Sequence, residues 1–258
     1  MKTVSVVASG ITKRYEFKVY GGHIVKAAYI KRSEKHIICL STQIGCANRC
    51  LFCSTGTVPF IRNLTSSEMM EMARQIKTAE RILYEPLLLS FMGSGEPLDN
   101  LKNVVHVIKH YPDFARFAVS VSGVGVDRIT RLPSYVKVQF TLISPFKKER
   151  QIMQPNVDPL HSLRMAIRLH QGPKELNVPL IAGFNDDHAS MMAVGAFSVV
   201  CEEVPVKLSK FHQIGSYKPS TRAMECLETL RRCGVKAEYY ETDGEDIFAA
   251  CGQFDCSR

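Results

Sequence analysis

Six short apolar segments alternate with amphipathic segments along most of the chain, and this alternation limits the folds that the chain can adopt. The apolar segments predict strands at Ile37–Ser41, Leu87–Met92, Phe117–Ser122, Val136–Leu142, Val178–Ala182 and Val206–Phe211. Near-continuous apolar runs of this length are typical of parallel strands that are buried on both faces. Six β-then-α units therefore predict an α/β fold, either a parallel barrel or an open sheet.

The helices between the strands have recognisable first and last residues. Thr65 and Glu68 form a T-x-x-E capping box, and apolar residues follow it at helical spacing. Further helices are predicted at 101–108, from Asp158-Pro159 onward, at Asp187–Val200 and at Thr221–Cys233, the last with Gly234 as its C′ residue. Before the first β/α unit, Tyr15–Val19 and Ile24–Ile30 flank Gly21-Gly22 and predict a β-hairpin.

Three cysteines lie close together directly after the first strand of the β/α series, in Gly45-Cys-Ala-Asn-Arg-Cys-Leu-Phe-Cys53. In parallel barrels, functional residues gather on loops at the carboxyl ends of strands, so a cofactor is expected here. Thiolates of Cys46, Cys50 and Cys53 can hold three irons of a [4Fe-4S] cluster, and without a fourth nearby cysteine one iron stays open. A structural zinc site and buried free thiols are the alternatives, although no second CxxC pair follows.

Cysteine count, apolar content and charge limit the class of protein. Nine cysteines is an odd number in a chain of 258 residues, which argues against a secreted disulfide scaffold. The apolar run Val4–Ala8 is too short for a signal peptide or a membrane span, which predicts a cytoplasmic protein without a membrane partner. The net charge of +8 permits contact with RNA, but the basic residues are scattered, and a solvated basic surface is an equally good interpretation.

A glycine-rich turn, Met92-Gly-Ser-Gly-Glu-Pro-Leu-Asp-Asn100, follows the second strand. Glycines there let the backbone approach a ligand closely, and a carboxylate can pair with a bound ammonium. With this turn and the cysteine triplet, the chain resembles the radical S-adenosyl-L-methionine (SAM) superfamily, and within it the RlmN/Cfr class of adenosine methyltransferases acting on 23S rRNA and, for RlmN, tRNA. The matching stretches are Thr12–Gly22, Cys39–Cys46, Arg62–Leu64, Gly95–Leu98 with Asn100, Ser120–Gly123, Gly183–Asp186 and Gly244–Gln253.

The resemblance implies one radical SAM domain over residues 1–258. Residues 1–33 would form a short N-terminal β-hairpin extension, and residues 34–258 a partial (β/α)6 TIM-like barrel with a C-terminal catalytic segment. It implies that Cys46, Cys50 and Cys53 bind the [4Fe-4S] cluster. Residues at SAM-contacting positions of the family are Phe52, Gly95, Glu96, Ser120, Thr141 and His212. The resemblance also implies an rRNA or tRNA substrate and a flavodoxin or ferredoxin as reducing partner.

Two further cysteines match the family's catalytic pair. Cys251 matches the cysteine that the family methylates on sulfur, and Cys39 matches its resolving partner. The pair is needed because C2 (or C8) of adenosine is not nucleophilic, so a thiolate first takes the methyl group from one SAM. A radical derived from a second SAM removes a hydrogen from this S–CH₃, whose carbon then bonds to the base. Attack by Cys39 would release the product and leave a Cys39–Cys251 disulfide.

Four features depart from the family pattern. The family's N-terminal helical accessory domain, used in RNA binding, does not precede the hairpin. Lys26 replaces a Glu that has a proton-accepting role in the family. His212 replaces an Asn that contacts SAM, although an imidazole can also form a hydrogen bond. Glu241-Thr-Asp243-Gly replaces a basic approach to the methyl-accepting cysteine, and its charge would oppose a phosphate backbone.

These departures leave the radical chemistry intact and weaken the prediction of a ribosomal substrate. The leading hypothesis is a radical SAM methyltransferase that uses two SAM molecules. A radical SAM enzyme of the same family with a non-ribosomal substrate or without methyl transfer is the second hypothesis. A zinc-stabilised basic RNA-binding module without catalysis is the third. Cys256 has no family counterpart and is predicted to be a tail thiol without function.

Overall fold

A computed structural model describes residues 1–82, 85–111 and 115–254, so Cys256 lies outside the described residues. The chain forms two compact units. The first contains Met1–Arg49, Cys53–Ser120 and the C-terminal segment from Asp243, and the second contains Cys50–Phe52 and Val121–Thr242. The predicted single domain stays a prediction. In the described part of the chain, the helices are too short or too polar to cross a lipid bilayer.

The first unit combines antiparallel and parallel strands. Its strands are β1 (Lys2–Ser9), β2 (Thr12–Lys18), β3 (Ile24–Lys31), β4 (His36–Leu40), β5 (Gln43–Ile44), β6 (Arg62–Asn63), β7 (Leu87–Phe91) and β8 (Ala115–Val121). Its helices are α1 (Ser66–Glu80) and α2 (Leu101–His110). The main sheet has the order β1-β2-β3-β4-β7-β8, in which β1 to β4 are antiparallel and β4, β7 and β8 are parallel. The short strands β5 and β6 pair separately.

The N-terminal extension is larger than the predicted hairpin. β2 and β3 form the predicted antiparallel pair, but β1 adds a third strand to it. The segment Val4–Ala8, which is too short for a membrane span, is rich in valine, and β-branched residues favour strands. Because β1 lies at the edge of the sheet, Val4 and Val6 remain exposed.

The second unit is built from parallel strands alternating with helices. Its strands are β9 (Lys137–Thr141), β10 (Lys174–Leu180), β11 (Val206–Lys210) and β12 (Ala237–Tyr240). Its helices are α3 (Lys147–Met153), α4 (Leu160–Leu169), α5 (His188–Val200) and α6 (Ala223–Arg232). Each neighbouring pair of strands is parallel. The sequence pattern did not predict α3 or β12, because α3 is short and β12 is polar.

The α/β class with parallel β/α units is confirmed. All six predicted strands are present, with ends displaced by a few residues. The capping box of α1 is present, since the Thr65 hydroxyl accepts from the Glu68 amide and the Glu68 carboxylate accepts from the Thr65 amide. Gly234 follows α6 with φ of +75°, which L side chains rarely adopt. These caps fix the helix ends, and thereby the positions of the loops that carry the predicted site residues.

Candidate active site

Cys39 and Cys251, which are distant in sequence, lie close enough in the first unit to interact electrostatically. Cys39 lies on β4 between Ala28 of β3 and Ser90 of β7. It packs against an apolar cluster formed by Ala28, Ile247, Ala249 and Phe254. The last three belong to the segment that carries Cys251. The structure therefore brings the predicted catalytic pair together.

The two thiols have different surroundings. Burial is the largest effect on the Cys39 pKa, and the Cys251 thiolate adds to it, while hydrogen bonding from the Met92 backbone lowers the pKa. The net result raises the pKa of Cys39 to about 12. Cys251 is exposed, and neither thiol is in a disulfide bond. An accessible thiol beside a protected one suits a pair in which one accepts a group and the other acts later.

The segment 243–254, which we call the C-terminal loop, is bonded at several points to the first unit. Its first residue, Asp243, forms an ion pair with Arg32. Arg14 donates to the carbonyl of Ile247 at 2.6 Å, and the amide of Ser54 donates to the carbonyl of Gly252 at 2.7 Å. These contacts hold Cys251 on the face of the sheet that carries Cys39. Asp243 thus has a structural partner within the chain, in addition to any effect of its charge on a polyanion.

Asp243→Asn is expected to lower the free energy of unfolding by about 0.5 kcal/mol, because both partners of the Asp243–Arg32 pair are partly exposed. Arg32→Gln should lower the free energy of unfolding by a similar amount, and the double variant should lower it by less than the sum of the two single changes. The measurement is a double-mutant cycle in urea. The matched control is Arg232→Gln with Glu228→Gln, which removes an exposed i,i+4 pair on α6. If the effects of Asp243→Asn and Arg32→Gln on the free energy of unfolding were fully additive, the Asp243–Arg32 ion pair would be contradicted.

The segment that precedes the cysteine loop is hydrogen-bonded to the glycine-rich turn in the first unit. The Ser41 hydroxyl accepts from the Ser94 amide at 2.9 Å, and the Ser94 carbonyl accepts from the Thr42 amide at 2.8 Å. A Cβ on Gly93 would lie 2.7 Å from the Ser41 nitrogen, and one on Gly95 would lie 2.5 Å from the Gln43 Cβ. The glycines are therefore needed for the close approach of these two segments.

Glu96 lies next to this contact and is bonded to Gln43. Its amide donates to the Gln43 side-chain oxygen at 2.8 Å, and its carboxylate accepts from the Leu98 amide. The carboxylate is almost completely buried and caps the 3-10 turn of 97–100. Gln43 is a supporting residue to which sequence reasoning gave no role, although it lies within a matched stretch.

Cys46 and Cys53 lie near each other and near Glu96 in the first unit, since the thiolate of Cys53 and the Glu96 carboxylate both act on Cys46. Burial raises the pKa of Cys46, the amide of Asn48 lowers it by a hydrogen bond, and the net value is about 12. Among the residues that the structure describes, no three His, Cys, Asp or Glu side chains converge on a single ion. In a cubane cluster each thiolate binds a different iron, so its three ligands do not have to meet at one point.

Cys50 is buried and lies in the second unit. Gln154 follows α3, and its Nε2 donates to the Ser122 carbonyl at 2.6 Å and to the Cys50 Sγ at 3.9 Å. The amide of Leu51 donates to the Met153 carbonyl at 2.9 Å. The end of α3 therefore supports the middle of the cysteine loop. The sequence offers no signal for this contact, because Gln154 follows a short helix without periodicity.

The other predicted SAM contacts lie on several elements. In the first unit, Ser120 is half-buried on β8. In the second unit, Phe52 packs against an apolar cluster formed by Ile143, Met153, Ile181 and Phe211. Thr141 is buried at the last position of β9. His212 is buried after β11, and its Nε2 forms a hydrogen bond with the Thr242 hydroxyl.

Comparison with known proteins identifies relatives over nearly the whole chain, although no family profile matches it. A probable dual-specificity RNA methyltransferase RlmN of Chlorobaculum tepidum is 30% identical, over 96% of this chain and 72% of that protein. A protein of the same description from Porphyromonas gingivalis is 28% identical, over 96% of this chain and 76% of that protein. A radical SAM methyltransferase of Sphaerobacter thermophilus superposes with a TM-score of 0.87 at 27% identity, over 98% of this chain and 80% of that chain.

Proposed function

Since the chain belongs to the RlmN family of radical SAM methyltransferases, we propose that it methylates a carbon of adenosine in RNA with the Cys39–Cys251 pair. The observation that carries this proposal is the juxtaposition of Cys39 and Cys251 in the first unit. A member of the family without methyl transfer would have no use for two thiols at this place. RNA as the substrate rests on the names of the relatives, which are RNA methyltransferases.

The residues present fit a [4Fe-4S] cluster and SAM. Cys46, Cys50 and Cys53 would hold the cluster, and thiolates are the ligands that such clusters take. The thiol of Cys46 is shielded from water, which protects a cluster ligand, and its raised pKa means that loading of the cluster releases a proton. The buried Glu96 carboxylate, beside Cys46, is an anionic group suited to the ammonium of SAM. When bound, the reduced cluster supplies the electron that cleaves SAM to a 5′-deoxyadenosyl radical.

The chain's own residues carry the methyl group. The exposed Cys251 sulfur attacks the SAM methyl as a thiolate, which gives S-methylcysteine and S-adenosylhomocysteine. After a hydrogen is removed from the S–CH₃, the carbon on Cys251 would bond to the adenine carbon, and the adduct would then lose the adenine C–H proton and one electron, for which the oxidised cluster would be the acceptor. Cys39, deprotonated, then attacks the Cys251 sulfur, so that the S–S bond forms as the S–C bond breaks and the released carbon takes up a proton. A thiol or thioredoxin-type reductant supplies two electrons to restore the pair.

The test is an assay with anaerobically reconstituted protein, SAM, a chemical reductant and total tRNA or a 23S rRNA fragment. We expect methyladenosine in the nucleoside digest and one added methyl group on the peptide that contains Cys251, both measured by mass spectrometry. Cys251→Ala should abolish both signals. Cys233→Ala removes another exposed thiol, outside the site, and should leave both signals unchanged. Formation of 5′-deoxyadenosine without methylated Cys251 would show a radical SAM enzyme that does not transfer methyl groups.

A further inference from the structure

Arg150 of α3 is a buried cation without a full set of partners in the second unit. Its side chain is 2% exposed. Its Nη1 donates to the Asp158 backbone carbonyl, but its Nε and Nη2 have no hydrogen-bond partner among the described residues. The Asp158 carboxylate lies within electrostatic range, but it accepts from the Val126 amide at 2.9 Å. Buried donors are almost always bonded, so these two nitrogens require an explanation.

The two unbonded nitrogens are the pair that binds a carboxylate side-on. In a guanidinium group, Nε–H and one N–H of Nη2 point in parallel from the same edge, and this fork matches the two oxygens of a carboxylate or phosphate. Burial lowers the pKa of Arg150 to about 10, so the group is still charged at neutral pH. A buried charge without an opposite partner is costly, and an oxyanion at this edge would offset that cost.

Gly123 lies beside the same edge. A Cβ on this residue would lie 2.8 Å from the Arg150 Nη2, and its φ of +91° is one that L side chains rarely adopt. The turn that follows Ser122 therefore leaves space beside Nη2 that any other residue would fill. Because both nitrogens are shielded from solvent, an entering ligand has to displace this glycine turn.

The Nε/Nη2 edge of Arg150 is also close to the part of the cysteine loop that contains Cys50. Gln154 follows Arg150 by four residues, and its side chain contacts both the Ser122 carbonyl and the Cys50 Sγ. The Gln154 Oε1 is buried and has no partner among the described residues. Within the second unit, Arg150 and Gln154 thus reach the same strand end, and one of them touches a proposed cluster ligand.

We propose that Arg150 and the Gly123 turn form an oxyanion site that binds the α-carboxylate of SAM. This assignment rests on the proposed function, because it requires SAM to bind beside the loop of Cys50. SAM carries one carboxylate, and if its amino and carboxylate groups bound the open iron, that carboxylate would lie close to the cluster. A phosphate of the RNA substrate has the same chemistry and is the other source of an oxyanion.

The test compares SAM with decarboxylated SAM, which lacks only the carboxylate, by equilibrium dialysis against anaerobically reconstituted protein without reductant. Iron content and circular dichroism are measured first for each variant. In Arg150→Gln the Kd for SAM should rise about tenfold or more, as expected for loss of a charged hydrogen-bonding group. The Kd for decarboxylated SAM should not change. Gly123→Ala should also raise the Kd for SAM and leave the Kd for decarboxylated SAM unchanged, because its Cβ would cover the Arg150 Nη2.

The matched control is Arg164→Gln, which removes an exposed arginine of α4 and should leave both Kd values unchanged. The inference would be overturned if Arg150→Gln raised the Kd values for SAM and decarboxylated SAM equally, or if it left the Kd for SAM unchanged. Weaker binding of a short adenosine-containing RNA with unchanged SAM binding would assign the site to a phosphate instead and also overturn it. If Arg150→Gln does not fold, Gly123→Ala decides the same question, because it should raise the Kd for SAM and leave the Kd for decarboxylated SAM unchanged. Iron-loaded wild type that binds neither SAM nor its analogue would refute the proposed function itself.

Discussion

Cys39→Ala is expected to stop the reaction after one round and to leave the RNA covalently attached to Cys251. The thioether Cys251–S–CH₂–adenine is stable, and in the proposed mechanism the neighbouring Cys39 sulfur breaks it. Cys39 packs against the loop that carries Cys251, which places its sulfur beside the adduct. We expect multiple turnover to fall below detection while one equivalent of adduct accumulates.

The adduct is measured by denaturing gel electrophoresis with labelled RNA and by mass spectrometry after nuclease digestion. It should resist dithiothreitol, since a thioether is not reduced by thiols. Cys226→Ala is the matched control, because Cys226 is also a buried thiol but lies in α6 of the second unit, where it donates to the Asp186 carbonyl. Normal multiple turnover in Cys39→Ala would eliminate the disulfide-resolved mechanism.

The pKa of Cys39 adds a pH signature to the same step. Because the Cys39 pKa is about 12, its thiolate fraction rises about tenfold for each pH unit below that value. Release of the adduct should therefore accelerate with pH in the wild type. Once Cys251 carries a methyl group, it no longer has a charge, and its contribution to the raised pKa of Cys39 is lost. This makes Cys39 easier to ionise at the step that needs it.

The strands and the two motif loops could be predicted from sequence because each depends on local pattern. Apolar runs specify buried parallel strands, and the capping box at Thr65 specifies the start of α1. The pairing of Cys39 with Cys251 could be predicted only from the family resemblance. Physical reasoning alone finds two isolated cysteines, whose approach depends on the position of the C-terminal loop.

Other features depend on tertiary placement and have no local signal. Gly93 and Gly95 are predicted to let the backbone approach a ligand, and in the structure their missing side chains also make room for Ser41 and Gln43. Arg150 resembles any arginine of a charged helix until its burial and its two unbonded nitrogens are seen. The pattern does not predict β1, because a short valine-rich run can also be a loop and its edge position leaves Val4 and Val6 exposed.

Cys50→Ala is expected to abolish SAM cleavage completely. One iron of the proposed cluster would lose its thiolate, and the remaining ligands, Cys46 and Cys53, are too few to retain a cubane. The change is small for the fold, because it removes one sulfur, which accepts a long hydrogen bond of 3.9 Å from the Gln154 Nε2. The free energy of unfolding of the metal-free protein should therefore fall by only about 1 kcal/mol.

Four measurements separate this loss of chemistry from a loss of structure: iron and sulfide content, the visible absorbance of the cluster, 5′-deoxyadenosine formation with SAM and reductant, and urea unfolding of the metal-free protein. In Cys50→Ala the first three should disappear, while unfolding remains cooperative. Gln154→Leu is the informative companion, since it keeps all three thiols and removes the hydrogen bond to Cys50. It should retain iron and cleave SAM more slowly.

A Cys50→Ala protein that still binds four irons and cleaves SAM would mean that the chain holds its cluster with a different set of ligands. Wild type that contains zinc instead of iron would support the zinc-stabilised RNA-binding alternative, because zinc cannot supply the electron that cleaves SAM.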